Sequence, residues 1–186
     1  MTNPLNTKDY RIEALGAAHD RGAFSCGDDA LDRYLRATAS QDVRRSTAVV
    51  HVLVPTATPH VIAGFYTLSA SSVALTDLPD SVRRRLPRYP TIPVALIGRL
   101  ATDLRFRGKK LGAFLLVDAL ARICHVSDES MGIFAVVVDA KNSAAANFYQ
   151  HFGLAPFTDS PRHLYLPTVT ARAALRDLGL AQGVKD

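Results

Sequence analysis

The chain has 186 residues and a mass of 20.1 kDa, a length that suits one domain or a domain with a small appendage. With 48% hydrophobic and 21% charged residues it has the balance of a globular protein, which excludes disordered and fibrous classes. Its +5 net charge is unevenly spread: residues 83–110 hold nine Lys/Arg against one Asp, so the remainder is net acidic.

The start, Met1 to Asn6, is polar with no apolar stretch behind it, and no secretory signal is expected. The most apolar helical stretch is interrupted by Asp118 and Arg122, short of the ~20 apolar residues of a membrane span. Cys26 and Cys124 have neither CxxC spacing nor a His-rich neighbourhood. No zinc or other metal site is expected, and two buried thiols in a reducing cytoplasm fit better than a disulfide. The expectation is a cytoplasmic protein of one domain over residues 1–186, with a core over about 10–166 and a helical tail over about 167–186.

In chain order, Tyr10 to Leu15 alternates as a short strand. Ser25-Cys26-Gly27-Asp28-Asp29 supplies capping residues before Leu31, Tyr34, Leu35 and Thr38 at helical spacing, a helix expected to run to Arg44 or Arg45. Ala48–Val54 and Val61–Ser69 are β-branched and aromatic, and the Pro55–His60 link predicts a hairpin. Four prolines in Leu78–Pro93 leave room for one short helix at Asp80–Leu86. Val94–Ala101 reads as a buried strand, followed by a helix with Ala113, Leu116, Val117, Leu120, Ile123 and Cys124 on one face. Ile133–Val138 is a second buried strand. Asp139–Asn142 then caps a helix over Ser143–His151, which Gly153 ends. Leu154–Phe157 and His163–Leu166 read as two short strands, and residues 168–178 as a terminal helix. The order predicts an α/β protein, or α+β, whose mixed sheet holds a parallel strand-helix-strand unit beside an antiparallel hairpin.

The strongest chemical signal is the junction at Arg105–Gly112, where a buried strand leads through two glycines and four cationic side chains into a helix. A helix N-terminus presents unpaired N–H groups and the positive end of the helix dipole. Lys109 and Lys110 are ill-placed there unless a polyanion such as a pyrophosphate sits against them, and Gly108 and Gly112 allow close backbone approach. The alternative is a βα turn with solvated lysines. The loop matches neither GxxxxGK[ST] nor GxGxxG. In the later helix Asn142, Ala145, Ala146 and Tyr149 lie near one side. There the small alanines leave room for a ligand and Tyr149 offers a hydroxyl, although an aromatic in such a stripe is commonly core.

These two segments, in this order and separation, resemble the GNAT family of acetyl-CoA-dependent N-acetyltransferases. Arg107-Gly108-Lys109-Lys110-Leu111-Gly112 matches the family's pyrophosphate loop, departing at Lys110, where glycine is usual, and Asn142 with Phe148-Tyr149 matches its coenzyme-side asparagine and catalytic tyrosine. Phe24–Gly27, Leu31–Leu35, Gly64–Ser69, Leu86–Pro90, Ile97–Ala101 and Val138–Asn142 further resemble the GNAT toxins of bacterial type II toxin–antitoxin modules. The resemblance implies the GNAT acyltransferase fold, with a central mixed sheet flanked by helices. It implies a coenzyme site at Leu100, Ala101, Thr102, Arg107, Gly108, Lys109, Lys110, Leu111, Gly112, Ala113, Asn142, Ala146 and Phe148, with backbone N–H groups at Leu100–Thr102 holding the thioester carbonyl. Tyr149 is then the proton donor to the departing thiolate. The implied reaction is acetylation of the α-amino group of aminoacyl-tRNA, which stops translation. The implied partners are a neutralising ribbon-helix-helix antitoxin, through which alone DNA would be met, and a second copy in a homodimer.

A tRNA substrate makes sense of the charge. Arg83, Arg84, Arg85 and Arg88, with Tyr89 beside them, and Arg44 and Arg45 are the expected phosphate contacts, against the alternative of a solvated face. Two other readings stand beside it: acetylation of a small amine or a protein amino group, and a coenzyme- or antitoxin-binding module without turnover.

Overall fold

The computed structural model describes residues 8–158 and 160–179. β1 (Tyr10–Ala14) is followed by α1 (Asp29–Arg33), where Asp28 caps the helix by accepting from the N–H groups of Ala30 and Leu31. The helix does not simply continue as its spacing predicts. Tyr34–Thr38 forms a π-helical turn, in which the Ala39 N–H reaches back five residues to the Tyr34 carbonyl, before α2 (Ala39–Arg44). The wider turn brings Tyr34, Leu35 and Ala39, all buried, closer to one face than a regular helix would, where they would spread over about 140°.

β2 (Val49–Pro55) and β3 (Gly64–Ala74) form the expected hairpin, with Val49 opposite Leu68 and Leu53 opposite Gly64. A single 3-10 turn and α3 (Asp80–Arg83) follow. β4 (Thr91–Thr102) starts three residues before the predicted strand, with Pro93 inside it; the Pro93 carbonyl accepts from Phe134 N–H. α4 (Leu111–Glu129) crosses over to β5 (Ala135–Asp139), and Val94–Ile97 pair in parallel with Ala135–Val138. α5 (Ser143–His151), β6 (Ala155–Pro156), β7 (His163–Pro167) and α6 (Thr168–Asp177) complete the described chain. The sheet is mixed and seven-stranded, in the order β1-β2-β3-β4-β5-β7-β6. The end of the predicted tail lies outside the described residues. No helix among the described residues is long and apolar enough to cross a membrane.

The chain forms two compact units. The first runs to Ser69 and takes in Gly98–Ala119; the second comprises Ala70–Ile97 and the chain from Leu120 onward. In the first, Phe24, Tyr34, Leu35, Ala39, Val50, Val52, Val54, Ile62, Phe65 and Ala101 make a core between the first helices and the sheet. In the second, Val73, Leu78, Ile92, Val94, Ala135, Val137, Phe157 and Tyr165 form a core cluster of their own. Along α4 the buried stripe is turned slightly from the predicted face: Leu111, Leu115 and Ala119 are buried where Ala113 and Val117 are half-buried. Asp118, which breaks the apolar run, accepts a 2.5 Å hydrogen bond from the Tyr66 hydroxyl. Both cysteines are free thiols, Cys124 buried and Cys26 half-buried.

β3 can begin beside the end of β4 because residue 64 has no side chain. A Cβ on Gly64 would stand 2.8 Å from Leu115 Cδ1 and 2.9 Å from the Ala101 carbonyl oxygen. The leucine could swing aside, but the carbonyl belongs to a strand. Gly64→Ala is expected to lower stability by about 1–3 kcal/mol in urea unfolding; an unchanged midpoint would mean that the strand ends yield freely.

Candidate active site

One group of candidate residues is the turn between β4 and α4, in the first unit. Its fixed point is Asp103, whose side chain is 1% exposed. Asp103 accepts from the Arg105 N–H and Nε at 2.8 Å each, from an Arg105 terminal nitrogen at 2.8 Å and from the Ser25 N–H at 3.1 Å. Burial alone would raise its pKa. The hydrogen bonds from the Arg105 side chain and from the Arg105 and Ser25 backbone, together with the Arg105 charge, outweigh burial and hold the carboxyl below its ordinary range. Leu104 N–H also bonds the Ser25 carbonyl, so the 3-10 turn Leu104–Phe106 is stitched to the segment before α1.

Beyond this anchor the backbone reverses twice. Gly108 has φ +79 and Lys110 has φ +56. Glycine adopts the left-handed region without penalty, whereas a lysine there costs about 1 kcal/mol. The position where the family usually has glycine therefore keeps a glycine-like backbone while carrying a side chain. The turn delivers the chain into α4 with the Ala113 and Phe114 N–H groups directed at the Lys110 carbonyl. The N–H groups of Leu111 and Gly112 meet no acceptor among the described residues. That is the condition for an anion site at a helix mouth.

The cations of the loop separate by role. Arg105 is committed to Asp103. Lys109 folds back so that Nζ lies 3.1 Å from the Tyr10 hydroxyl and 5.4 Å from the Phe106 ring centroid. Arg107 and Lys110 are exposed. Leu100 and Thr102 are half-buried at the end of β4, with Ala101 buried between them.

Another group lies on α5, in the second unit. Asn142 caps the helix, its Oδ1 accepting from Ala145 N–H at 2.9 Å, so this oxygen is engaged in holding the helix start. Ala146 is buried and Phe148 half-buried, its ring 5.2 Å from those of both Tyr149 and Phe152. Tyr149 is 8% exposed, and burial pushes its pKa up to about 12. No group among the described residues hydrogen-bonds its hydroxyl. A phenol in that state stays protonated at neutral pH and can donate.

Of the arginines singled out for nucleic acid, Arg44 and Arg45 are exposed at the end of α2 in the first unit. In the second, Arg84, Arg85 and Arg88 are exposed with Tyr89, itself 64% exposed. Arg83 is turned onto Asp80 at 2.6 Å within α3.

No family model matches the chain. It is 38% identical over 163 residues to a tRNA-acetylating toxin of Mycobacterium tuberculosis, covering 88% of this chain and 95% of that protein. It is 32% identical over 164 residues to the probable toxin TacT of Sinorhizobium fredii, covering 84% and 90%. The chain belongs to the GNAT toxins of bacterial toxin–antitoxin modules. Among solved GNAT toxins it is similar to a KacT variant with tyrosine replaced by phenylalanine, at TM-score 0.84 and 26% identity, covering 89% of this chain and 99% of that one. It is also similar to AtaT complexed with acetyl-methionyl-tRNAfMet, at TM-score 0.82 and 30% identity over 90% and 99%. A third likeness is to an AtaT variant bound to the C-terminus of the antitoxin AtaR and acetyl-CoA, at TM-score 0.76 and 27% identity over 90% and 98%.

Sequence reasoning missed the part played by Asp103 in this GNAT toxin, although a signal existed. Asp103 is the sole acid of the basic stretch 83–110, at the end of a buried strand and two residues before an arginine. Because its pKa is lowered in the fold, its contribution to stability is complete above the unfolded value of ~3.9. That contribution is lost as pH falls through the lower folded value. Asp103→Asn is expected to cost about 2–3 kcal/mol at neutral pH, with the gap to wild type closing in urea melts carried below about pH 4. A gap that stays constant down to the acid limit would contradict this anchoring role. At the left-handed position, Lys110→Gly is expected to raise stability by about 0.5–1 kcal/mol; a loss in the same melts would show that the lysine side chain holds the turn.

Proposed function

We propose that this toxin acetylates the α-amino group of the amino acid carried by charged tRNA, using acetyl-CoA, and so blocks translation. The observation that carries this reading is the mouth of α4, where a left-handed turn leaves the Leu111 and Gly112 N–H groups without an acceptor. The likeness to a tRNA-acetylating toxin, and to AtaT with acetyl-methionyl-tRNAfMet or with acetyl-CoA, supports it.

Acetyl-CoA supplies an acetyl thioester, and the residues present fit it. The Gly108–Ala113 backbone would receive its diphosphate, with Arg107, Lys109 and Lys110 adding positive charge. Leu100, Ala101 and Thr102 would offer backbone N–H groups to the carbonyl oxygen, where charge grows during transfer. Asn142, Ala146 and Phe148 would line the path on α5. Acetyl transfer forms a C–N bond and breaks a C–S bond, the amine losing a proton and the thiolate gaining one. Tyr149, kept protonated by burial, is the donor to sulfur. The acceptor needs little help, because the α-amino group of an aminoacyl ester is less basic than a lysine and is substantially neutral near pH 7.

Arg44, Arg45, Arg83, Arg84, Arg85 and Arg88 would contact phosphates, with Arg83 giving up Asp80 to do so. The partner that restrains the enzyme is an antitoxin, as AtaR is for AtaT. In this reading it is of the ribbon-helix-helix type, DNA is met through it, the toxin is a homodimer of single GNAT domains, and it works in the cytoplasm, where charged tRNA is made.

Incubation with radiolabelled acetyl-CoA and bulk charged tRNA is expected to place label in the RNA. Tyr149→Phe should lower kcat by about 10²-fold or more with little change in stability. Label that enters only small amines or protein, or a phenylalanine variant as fast as wild type, would overturn the reading or the role of Tyr149 respectively.

A further inference from the structure

Arg99 takes no part in the steps above, yet its setting is unusual. It lies half-buried in β4, immediately before Leu100–Thr102. Its guanidinium carbon sits 3.6 Å from the centroid of the Tyr34 ring. Several other arginines are answered by a carboxylate: Arg11 by Glu13, Arg83 by Asp80, Arg105 by Asp103 and Arg172 by Asp128. Among the described residues none stands within ion-pair distance of Arg99. A half-buried cation without a counter-charge is costly. Stacking on an aromatic face offsets part of that cost and leaves the donor-bearing edge of the guanidinium available for a planar, two-point contact with an oxyanion.

Tyr34 is built to carry such a load. It opens the π-helical turn, a feature that recurs at functional sites. Its hydroxyl donates to Asp42 Oδ2 at 2.9 Å, and its ring lies nearly parallel to that of Phe65, with centroids 6.3 Å apart. The platform is therefore fixed at both the ring and the hydroxyl.

The faces of β4 decide whose anion this is. A Cβ on Gly64 would meet both Leu115 of α4 and the Thr102 side chain, so Thr102 faces α4. Ala101 packs with Tyr34, Leu35 and Phe65 on the other face. By the two-residue period of a strand, Arg99 shares the Ala101 face. The Arg99 subsite thus opens on the opposite face of β4 from the helix that would hold the coenzyme diphosphate. An anion held at Arg99 would therefore be a second one, on the acceptor's side. In the acceptor end of a charged tRNA the anion nearest the aminoacyl ester is the phosphodiester joining the terminal adenosine to the nucleotide before it. We propose that Arg99, stacked on Tyr34, is a substrate-positioning residue that grips this phosphodiester. The proposal rests on the aminoacyl-tRNA reading.

The test compares one amino acid esterified to tRNA, to the dinucleotide CpA and to adenosine; of the last two, only CpA contains the phosphodiester. Wild type should favour aminoacyl-CpA over aminoacyl-adenosine by about tenfold in kcat/KM, the range of one charge-assisted contact. Arg99→Ala should bring the two within about twofold, with KM for acetyl-CoA unchanged. Arg99→Lys, which keeps the charge but not the fork, should fall between them, and it carries the test if the alanine variant fails to fold. A wild type without the preference, a variant that retains it in full, or a defect confined to the acetyl-CoA KM would each overturn the proposal. Failure of wild type to acetylate any of the esters would sink the aminoacyl-tRNA reading and this proposal with it; turnover of all three with the preference intact in the variants would sink this proposal alone.

Discussion

The buried carboxylate of Asp103 constrains how β4 can become α4. It collects four hydrogen bonds, three from Arg105 and one from Ser25, and with so little exposed surface it cannot exchange them for water. Each bond removes a freedom the turn would otherwise have. The Arg105 N–H fixes the first residues after the strand, the guanidinium lies back along the strand end, and Ser25 ties the turn to a segment almost eighty residues earlier. Given that anchor, the chain reaches α4 through two left-handed residues, and the N–H groups of the first helical turn point outward. The open N–H groups of the mouth are thus a consequence of a buried carboxylate.

The same pairing sorts the cations of the basic segment. A run of arginines and lysines reads in one dimension as one positive surface. In three dimensions Arg105 and Arg83 are answered by neighbouring carboxylates, and Lys109 is drawn onto Tyr10 and Phe106. The positive field at the mouth comes from backbone dipoles with Arg107 and Lys110, while Arg99 stacks on Tyr34 with no carboxylate in ion-pair distance among the described residues. Burial plays the complementary part at Tyr149, where a low-dielectric setting favours the neutral phenol over the phenolate. Neither effect depends on residue type alone: a tyrosine in water or an arginine beside an aspartate would behave otherwise.

The parts of the fold legible in the chain were those with strong local periodicity. The runs of β2 and β5, the apolar stripe of α4, and the caps Asp28 and Asn142 all carry their signal within a few residues, because a cap or a buried stripe is satisfied by its own near neighbours. The misjudged features were set by distant neighbours. A π-helical turn at Tyr34–Thr38 has no local signature, since it is selected by the core that Tyr34, Leu35 and Ala39 must fill together. The rotation of the α4 face toward Leu115 and Ala119, and the start of β4 ahead of Pro93, depend on the layer packed against them.

The linear order of residues was enough to mark a mixed α/β chain, a glycine- and lysine-rich strand-to-helix turn, a tyrosine on a small-residue helix, and the GNAT toxin resemblance joining them. All of these are properties of spacing, and spacing survives without coordinates. Tertiary structure alone decided which charges are paired, that residue 110 is held left-handed despite being lysine, that Asp103 is the anchor, and that Arg99 and Thr102 look to opposite faces of one strand. Those outcomes depend on distances between groups far apart in the chain; hydrogen bonds act within a few ångströms and screened charges within about 10 Å, so no pattern read along the backbone can settle them.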